Sequence, residues 1–188
     1  MRIVGGRLRG LKLAEIGDGD AAAHLRPTTD RVREAIFNLL INGAHDNPVP
    51  GARVLDLFAG TGALGLEALS RGAAHITYLD DGVRAQALIR SNIAKARAAD
   101  QATLLRRDAT RPGDNRDAPH DLVFLDPPYG QGLGERAIAA ALAGGWIAPG
   151  ATVVWEERRP PAVSAPLVPI DQRRYGDTLV TLARLPQM

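Results

Sequence analysis

The feature that most constrains this chain is Gly60-Thr61-Gly62-Ala63-Leu64-Gly65, set between the apolar run Val54-Leu55-Asp56-Leu57-Phe58 and a helical pattern that reaches Arg71. Glycine permits a tight strand-to-helix turn and lets a ligand approach the backbone, which a side chain would prevent. Asp80 stands about twenty residues further on, at the end of the next strand-like run from His75, where folds of this kind hold a ribose diol. A nucleoside-containing ligand is expected. Further strands are predicted at Ala102 to Arg106, Leu122 to Leu125 and Thr152 to Glu156. Between them, Ala85, Leu88, Ile89, Ile93 and Ala96 form one helical stripe, and another helix is predicted near Glu135 to Ala143. Strands alternating with helices imply a parallel sheet in an α/β fold.

The flanks differ from this pattern. Residues Met1 to Lys12 hold four cations, Arg2, Arg7, Arg9 and Lys12, and no anion, with glycines at 5, 6 and 10. They are expected to form a small basic hairpin or arm spanning 1–24, followed by one catalytic domain over 25–188. Arg26-Pro27-Thr28-Thr29-Asp30 opens a helix with Val32, Ala35, Ile36, Leu39 and Leu40 on one face, and Thr28, Thr29 and Asp30 are all credible N-caps. Arg31 and Arg33, two residues apart, face different sides of that helix. Pro160 to Pro169 is expected to be a connection, Arg173 to Asp177 a turn, and Thr178 to Leu185 a terminal strand.

Composition removes several classes of chemistry. The 188 residues contain no cysteine, which excludes disulfides, thiolate nucleophiles and iron–sulfur clusters and suits a reducing cytoplasm. His24, His45, His75 and His120 have no ligand-like spacing, so no metal is expected. Ala137 to Trp155 is uncharged, but Gly144-Gly145 and Pro149-Gly150 interrupt it, favouring a helix, a turn and a buried strand over a membrane span. The amino terminus lacks the apolar run of a signal peptide. Lysine occurs only at Lys12 and Lys95 among 23 Lys and Arg residues. The preference for arginine suits phosphate and base recognition, although genomic base composition yields the same bias.

Both a nicotinamide dinucleotide and S-adenosylmethionine fit the glycine loop, and its neighbours discriminate between them. Asp56, four residues before Gly60, would repel a pyrophosphate but could receive the ammonium of a methionine moiety. Asp108 offers an acceptor for an adenine amino group. Asp126-Pro127-Pro128-Tyr129, at a strand's carboxyl end, has no evident part in hydride transfer but suits methylation of an exocyclic amine. The lone pair of such a nitrogen is delocalised into the ring. Acceptors from the Asp126 carboxylate and the Pro127 carbonyl would hold both N–H groups and direct the lone pair at the methyl group, while Tyr129 stacks on an unpaired or flipped base.

These segments, together with Met1-Arg2-Ile3-Val4-Gly5-Gly6, the run from Arg26 to Asn38 and Tyr175-Gly176-Asp177-Thr178, resemble the RsmD family of bacterial methyltransferases nearly end to end. The resemblance implies a class I S-adenosylmethionine-dependent fold, with a seven-stranded sheet whose last strand is antiparallel. It implies methylation of a guanine N2 in 16S ribosomal RNA, S-adenosylmethionine as cofactor and a small ribosomal subunit particle as partner, with naked RNA the alternative substrate, by a cytoplasmic monomer. The candidate catalytic residues are Asp126, Pro127 and Tyr129. Candidate cofactor residues are Asp56, Phe58, Ala59, Gly60, Gly62, Asp80, Asp81, Asp108 and Ala109. The family commonly has glutamate where this chain has Asp80-Asp81, so either of the two could meet the ribose. Arg7, Arg9, Lys12 and Arg26 are expected to contact RNA phosphates beside the cleft, and Arg31 or its helix's N-terminus is a candidate for the cofactor carboxylate. A DNA adenine methyltransferase, an NAD-dependent oxidoreductase and a non-catalytic RNA-binding assembly factor are the alternatives.

Overall fold

A computed structural model describes residues 1–15 and 29–187. Seven strands form one sheet: β1 (Arg53–Leu57), β2 (His75–Leu79), β3 (Ala102–Leu105), β4 (His120–Leu125), β5 (Ile147–Glu157), β6 (Val168–Tyr175) and β7 (Thr178–Arg184). Their order is β3-β2-β1-β4-β5-β7-β6. The first five run parallel, and β7 lies antiparallel to both β5 and β6. The helices are α1 (Asp30–Asn42), α2 (Ala63–Ser70), α3 (Val83–Ala96) and α4 (Leu133–Ala143). This is the expected α/β class, including its antiparallel last strand.

Side chains alternate across the sheet and divide the core into two layers. Val54, Ile76, Phe124 and Val154 pack with Ile36 and Phe37 of α1, Leu66 and Leu69 of α2 and Ile89 of α3. On the other face Leu55, Leu57, Val123, Leu125 and Trp155 pack with Ala137, Ile138 and Ala141 of α4. Coverage of both faces explains why β1 and β4 are apolar almost throughout, with no polar alternation. Within this frame Leu105, Leu79, Leu57, Leu125 and Trp155 are consecutive register partners. The residues that follow them, Arg106, Asp80, Phe58, Asp126 and Glu156, therefore line a single carboxyl edge.

Three expectations need correction or sharpening. β6 begins within the expected connection from Pro160 to Pro169 and runs into the predicted turn Arg173 to Asp177, and only Gly176-Asp177 separates it from β7. This is an edge strand, where proline and charge are tolerated, so it lacks the apolar signature of a central one. Thr29 is the N-cap of α1, its hydroxyl accepting from Val32 N at 3.3 Å. The uncharged run from Ala137 resolves into α4, a Gly144-Gly145 turn and β5, and no helix among the described residues is long and apolar enough to cross a membrane.

The basic arm closes as a short hairpin: Ile3 N donates to Leu11 O at 3.0 Å and Leu13 N to Met1 O at 3.2 Å on either side of the antiparallel bridge Arg2 to Lys12, over a 3-10 turn at Gly6–Leu8. Three further backbone donors, Val4, Gly5 and Leu8 N–H, have partners in α2. The fully buried Glu67 accepts from Val4 N and Gly5 N at 2.8 Å each, and Ser70 Oγ accepts from Leu8 N at 2.9 Å. Arg71 Nε and Arg33 Nε also donate to Glu67, at 2.8 and 3.4 Å. Arg33 additionally donates to Arg2 O and to Asp30. Buried Ile3 and Leu13 join the core, so the arm is part of the domain's packing, while the expected boundary at 24/25 lies outside the described residues. Arg31 is exposed and Arg33 buried, as their spacing requires.

Glu67 holds four donors in a site without solvent, so replacing one of its oxygens by an amide would set donor against donor and remove one of the two carboxylates paired with the buried Arg33, leaving Asp30. Glu67→Gln is expected to destabilise the fold by roughly 2–4 kcal/mol in urea unfolding. An unchanged midpoint would show that the network is dispensable.

Candidate active site

The sheet reverses direction of growth between β1 and β4: the connection after β1 goes to α2 on one face, and that after β4 goes to α4 on the other. Such a switch point leaves a crevice at the carboxyl edge, where ligands of open α/β sheets bind. Phe58 and Asp126 leave the sheet on either side of it, since Leu57 and Leu125 are partners.

Asp56 lies at the bottom of the β1 side and is only 2% exposed. Its carboxylate accepts from Gly65 N–H, yet Oδ2 has no hydrogen-bond partner. Burial, then the neighbouring Asp126, pushes its pKa well above the ordinary carboxylate range; the Gly65 N–H opposes the shift and Asp80 adds to it. A buried, unsatisfied acceptor of this kind is costly alone and is suited to an ammonium group. Phe58 then turns the chain through φ 62°, a left-handed conformation that costs a non-glycine residue on the order of 1–3 kcal/mol. Its strain marks the entry to the glycine loop.

The loop is fixed from several sides. Gly60 N donates to Asp80 Oδ2 at 2.9 Å, Ala59 N to Leu79 O at 3.2 Å and Gly62 N to Ala59 O at 2.7 Å. The buried Tyr78 hydroxyl donates to Gly62 O at 3.2 Å. A Cβ on Gly65 would stand 2.6 Å from Tyr78 Cε1, so this glycine is required by the close approach of α2 to β2. Asn92, a residue with no signal in sequence reading, is buried and donates to Thr61 O at 2.9 Å while accepting from Ala14 N at 2.6 Å. It joins α3, the loop and the arm.

Of the two adjacent carboxylates, Asp80 faces the loop: its other oxygen accepts from Gly82 N at 2.9 Å. Burial raises its pKa above the ordinary value although both backbone N–H groups pull it down. Asp81 is exposed. Asp108, beyond β3, is exposed and accepts from Thr110 N and Oγ1 at 2.8 and 2.7 Å, and the Thr110 hydroxyl is the main cause of its lowered pKa. Ala109 is buried against the core layer that contains Leu57 and Leu79.

Across the crevice, Pro127 is buried and Asp126, Pro128 and Tyr129 are partly so. The Tyr129 hydroxyl is hydrogen-bonded to the side chain of Thr178, the last residue of Tyr175-Gly176-Asp177-Thr178. Burial and the Asp126 charge raise its pKa, keeping the phenol protonated. Gly130 N donates to Glu157 Oε1 at 3.3 Å, so the segment is tied to the ends of both β5 and β7. The Arg158 guanidinium carbon lies 5.6 Å from the centre of the Tyr129 ring. Thr178, Glu157 and Arg158 were not among the sequence candidates.

The arm's cations are distributed differently from expectation. Arg7 donates to Gln101 Oε1 at 2.8 Å, just before β3, and the adjoining turn packs on Ser70 at the end of α2. The arm's tip, including Arg7, is thus at the amino edge of the sheet and not beside the crevice, because α2 runs back across the sheet after leaving the glycine loop. Lys12, exposed, pairs with Arg2 nearer the loop, where Met1 Sδ lies 3.8 Å from Thr61 Oγ1. Arg9 is exposed next to the tip, and Arg26 lies outside the described residues. The histidines in the sheet are internally bonded: His120 to Thr77 Oγ1 and Trp146 O, His75 to Thr103 Oγ1.

Known proteins share this fold. A family model described as "Conserved hypothetical protein 95" matches residues 1–184. The chain is 43% identical over 157 residues to ribosomal RNA small subunit methyltransferase D of Escherichia coli, covering 83% of this chain and 74% of that protein. It is 35% identical over 164 residues to the protein of the same name from Haemophilus influenzae, covering 85% and 79%. A solved structure of yhhF from Escherichia coli superposes with a TM-score of 0.82 at 35% identity, covering 100% of this chain and 99% of that one. With an α/β fold, motif order and end-to-end similarity in agreement, the chain belongs to the family described as Conserved hypothetical protein 95, the RsmD family.

Proposed function

We propose that this protein transfers a methyl group from S-adenosylmethionine to the exocyclic N2 amine of a guanine in small-subunit 16S ribosomal RNA. The observation that carries the reading is the facing pair across the switch point: Asp56 with an unpartnered buried oxygen beside the glycine loop, and Asp126 to Tyr129 on the adjacent strand end. The relatives named ribosomal RNA small subunit methyltransferase D supply the substrate class.

When bound, S-adenosylmethionine supplies an electrophilic methyl on a sulfonium sulfur. Asp56, Phe58, Ala59, Gly60 and Gly62 would hold its methionine end, Asp80 its ribose, and Asp108 and Ala109 its adenine; Asp81, pointing to solvent, is the weaker ribose candidate. The Asp126 carboxylate and the Pro127 carbonyl accept from the guanine amine and localise its lone pair. Buried Pro127 fixes the acceptor at little ordering cost on binding. Tyr129, held by Thr178, stacks on the flipped base. The amine proton leaves late, to Asp126 or to water. Arg7, Arg9 and Lys12 extend contact to RNA away from the target nucleotide, consistent with a large substrate in the cytoplasm.

Asp126→Asn is expected to lower kcat for methyl transfer to small ribosomal subunits roughly 100-fold or more, while the calorimetric Kd for S-adenosylmethionine stays within about twofold. Lost cofactor affinity with intact turnover would overturn the assignment. Asp56→Asn tests the other half of the site. Because folding raises the pKa of Asp56, its carboxyl favours the folded state fully below the unfolded value of 3.8 and loses that contribution as pH rises through the folded value. The amide variant should therefore be more stable than wild type at pH 7 without ligand. This gain should vanish in acid. Its affinity for S-adenosylmethionine should fall, and a variant that loses stability at pH 7 or keeps full affinity would contradict the role.

A further inference from the structure

The cations expected to meet RNA near the crevice lie, at the arm's tip, on the far edge of the sheet, whereas the carboxyl edge carries arginines that the proposed function does not use. Glu157, Leu179 and Arg174 are register partners across β5, β7 and β6, so the end of β6 adjoins the end of β5 at the edge from which Asp126 to Tyr129 project. There Arg174 donates from both terminal nitrogens to Arg158 O at 3.4 and 3.5 Å. Arg158 in turn places its guanidinium over the Tyr129 ring.

All of Arg158, Arg159 and Arg174 are exposed, and none has a carboxylate partner among the described residues. The adjacent Glu157 accepts from backbone N–H groups, Gly130 N at 3.3 Å and Arg158 N at 3.0 Å. Arg173, by contrast, is paired with Asp171 at 3.3 Å and is excluded from the group. An exposed guanidinium without a counter-ion is ordinarily just solvated. Here its seat on the ring that would stack the target base, and the bracing from Arg174, set it at one place relative to the reacting amine. A planar fork offering several donors suits phosphodiester oxygens.

We propose that Arg158, Arg159 and Arg174 form a second RNA contact, gripping the phosphodiester backbone next to the flipped guanine, with Tyr129 pre-positioning Arg158. This rests on the proposed activity and deepens it: the arm's tip holds RNA remote from the reaction, and this patch holds the strand at the target nucleotide. It also accounts for the position of Tyr175 to Thr178, whose turn joins the strand carrying Arg174 to the threonine that fixes Tyr129.

The test uses the full chain with Arg158→Ala, Arg174→Ala, the double variant and Arg158→Lys, assayed on small ribosomal subunits from cells lacking the resident enzyme. Removing each arginine should raise KM for the subunit several-fold and lower the slope of log KM against log salt by about one, with calorimetric affinity for S-adenosylmethionine unchanged. Arg158→Lys should keep most of the salt slope, because it keeps the point charge. Unchanged KM and slope in the double variant, or a loss of cofactor affinity, would overturn the proposal. Should wild-type protein transfer no methyl to subunits, the activity reading fails by itself. Filter binding of 16S ribosomal RNA across a salt series then decides the patch: weaker, flatter binding by the double variant supports it, and binding equal to wild type overturns it.

Discussion

Everything at the proposed active site depends on the parallel pairing of β1 with β4. Their shared register ends both strands at the same level, so the chain that enters the glycine loop and the chain that presents Asp126 emerge side by side. The helices that follow them, α2 and α4, depart to opposite faces of the sheet and so leave the gap between the strand ends. A one-residue slip in β4 would turn Asp126 away from the crevice and exchange Leu122 and Phe124 with Val123 and Leu125 between the two core layers, disrupting the packing of both. The apolar contacts of both core layers therefore hold the catalytic geometry as well as the fold.

The cost of the site is concentrated in a few groups. Asp56 carries an unsatisfied oxygen and a neighbouring like charge, and Phe58 a left-handed backbone. Such features persist only where surrounding structure over-determines them. Here α2 supplies that support. Its residues are all buried, its first turn gives Gly65 N–H to Asp56, and its middle presents Glu67 to the arm and to Arg33 of α1. The arm thus clasps the helix that follows the glycine loop. This gives the basic segment a structural task beside any contact with RNA.

Local signals in the sequence were strong wherever one segment contained its own explanation. Apolar runs marked β1, β2 and β4 because both faces of a central parallel strand are buried, and the glycine loop and Asp126 to Tyr129 are contiguous motifs. Features that depend on distant partners carried no such mark. β6 is polar and begins at Val168-Pro169 because it is an edge strand. The roles of Asn92 and Thr178 exist only through contacts with Thr61 and Tyr129. Similarly, the positive charge of the arm was evident, but its placement at the amino edge follows from Glu67 and Ser70 binding its backbone.

The central claim, that the two halves of the crevice join a methyl donor to a guanine amine, is tested most directly by the identity of the product. Small ribosomal subunits lacking the modification would be incubated with the protein and S-adenosylmethionine carrying a labelled methyl group, digested, and resolved into nucleosides. The account predicts label in N2-methylguanosine. Label confined to a methylated adenosine or cytidine, or no label on any nucleoside, would contradict it.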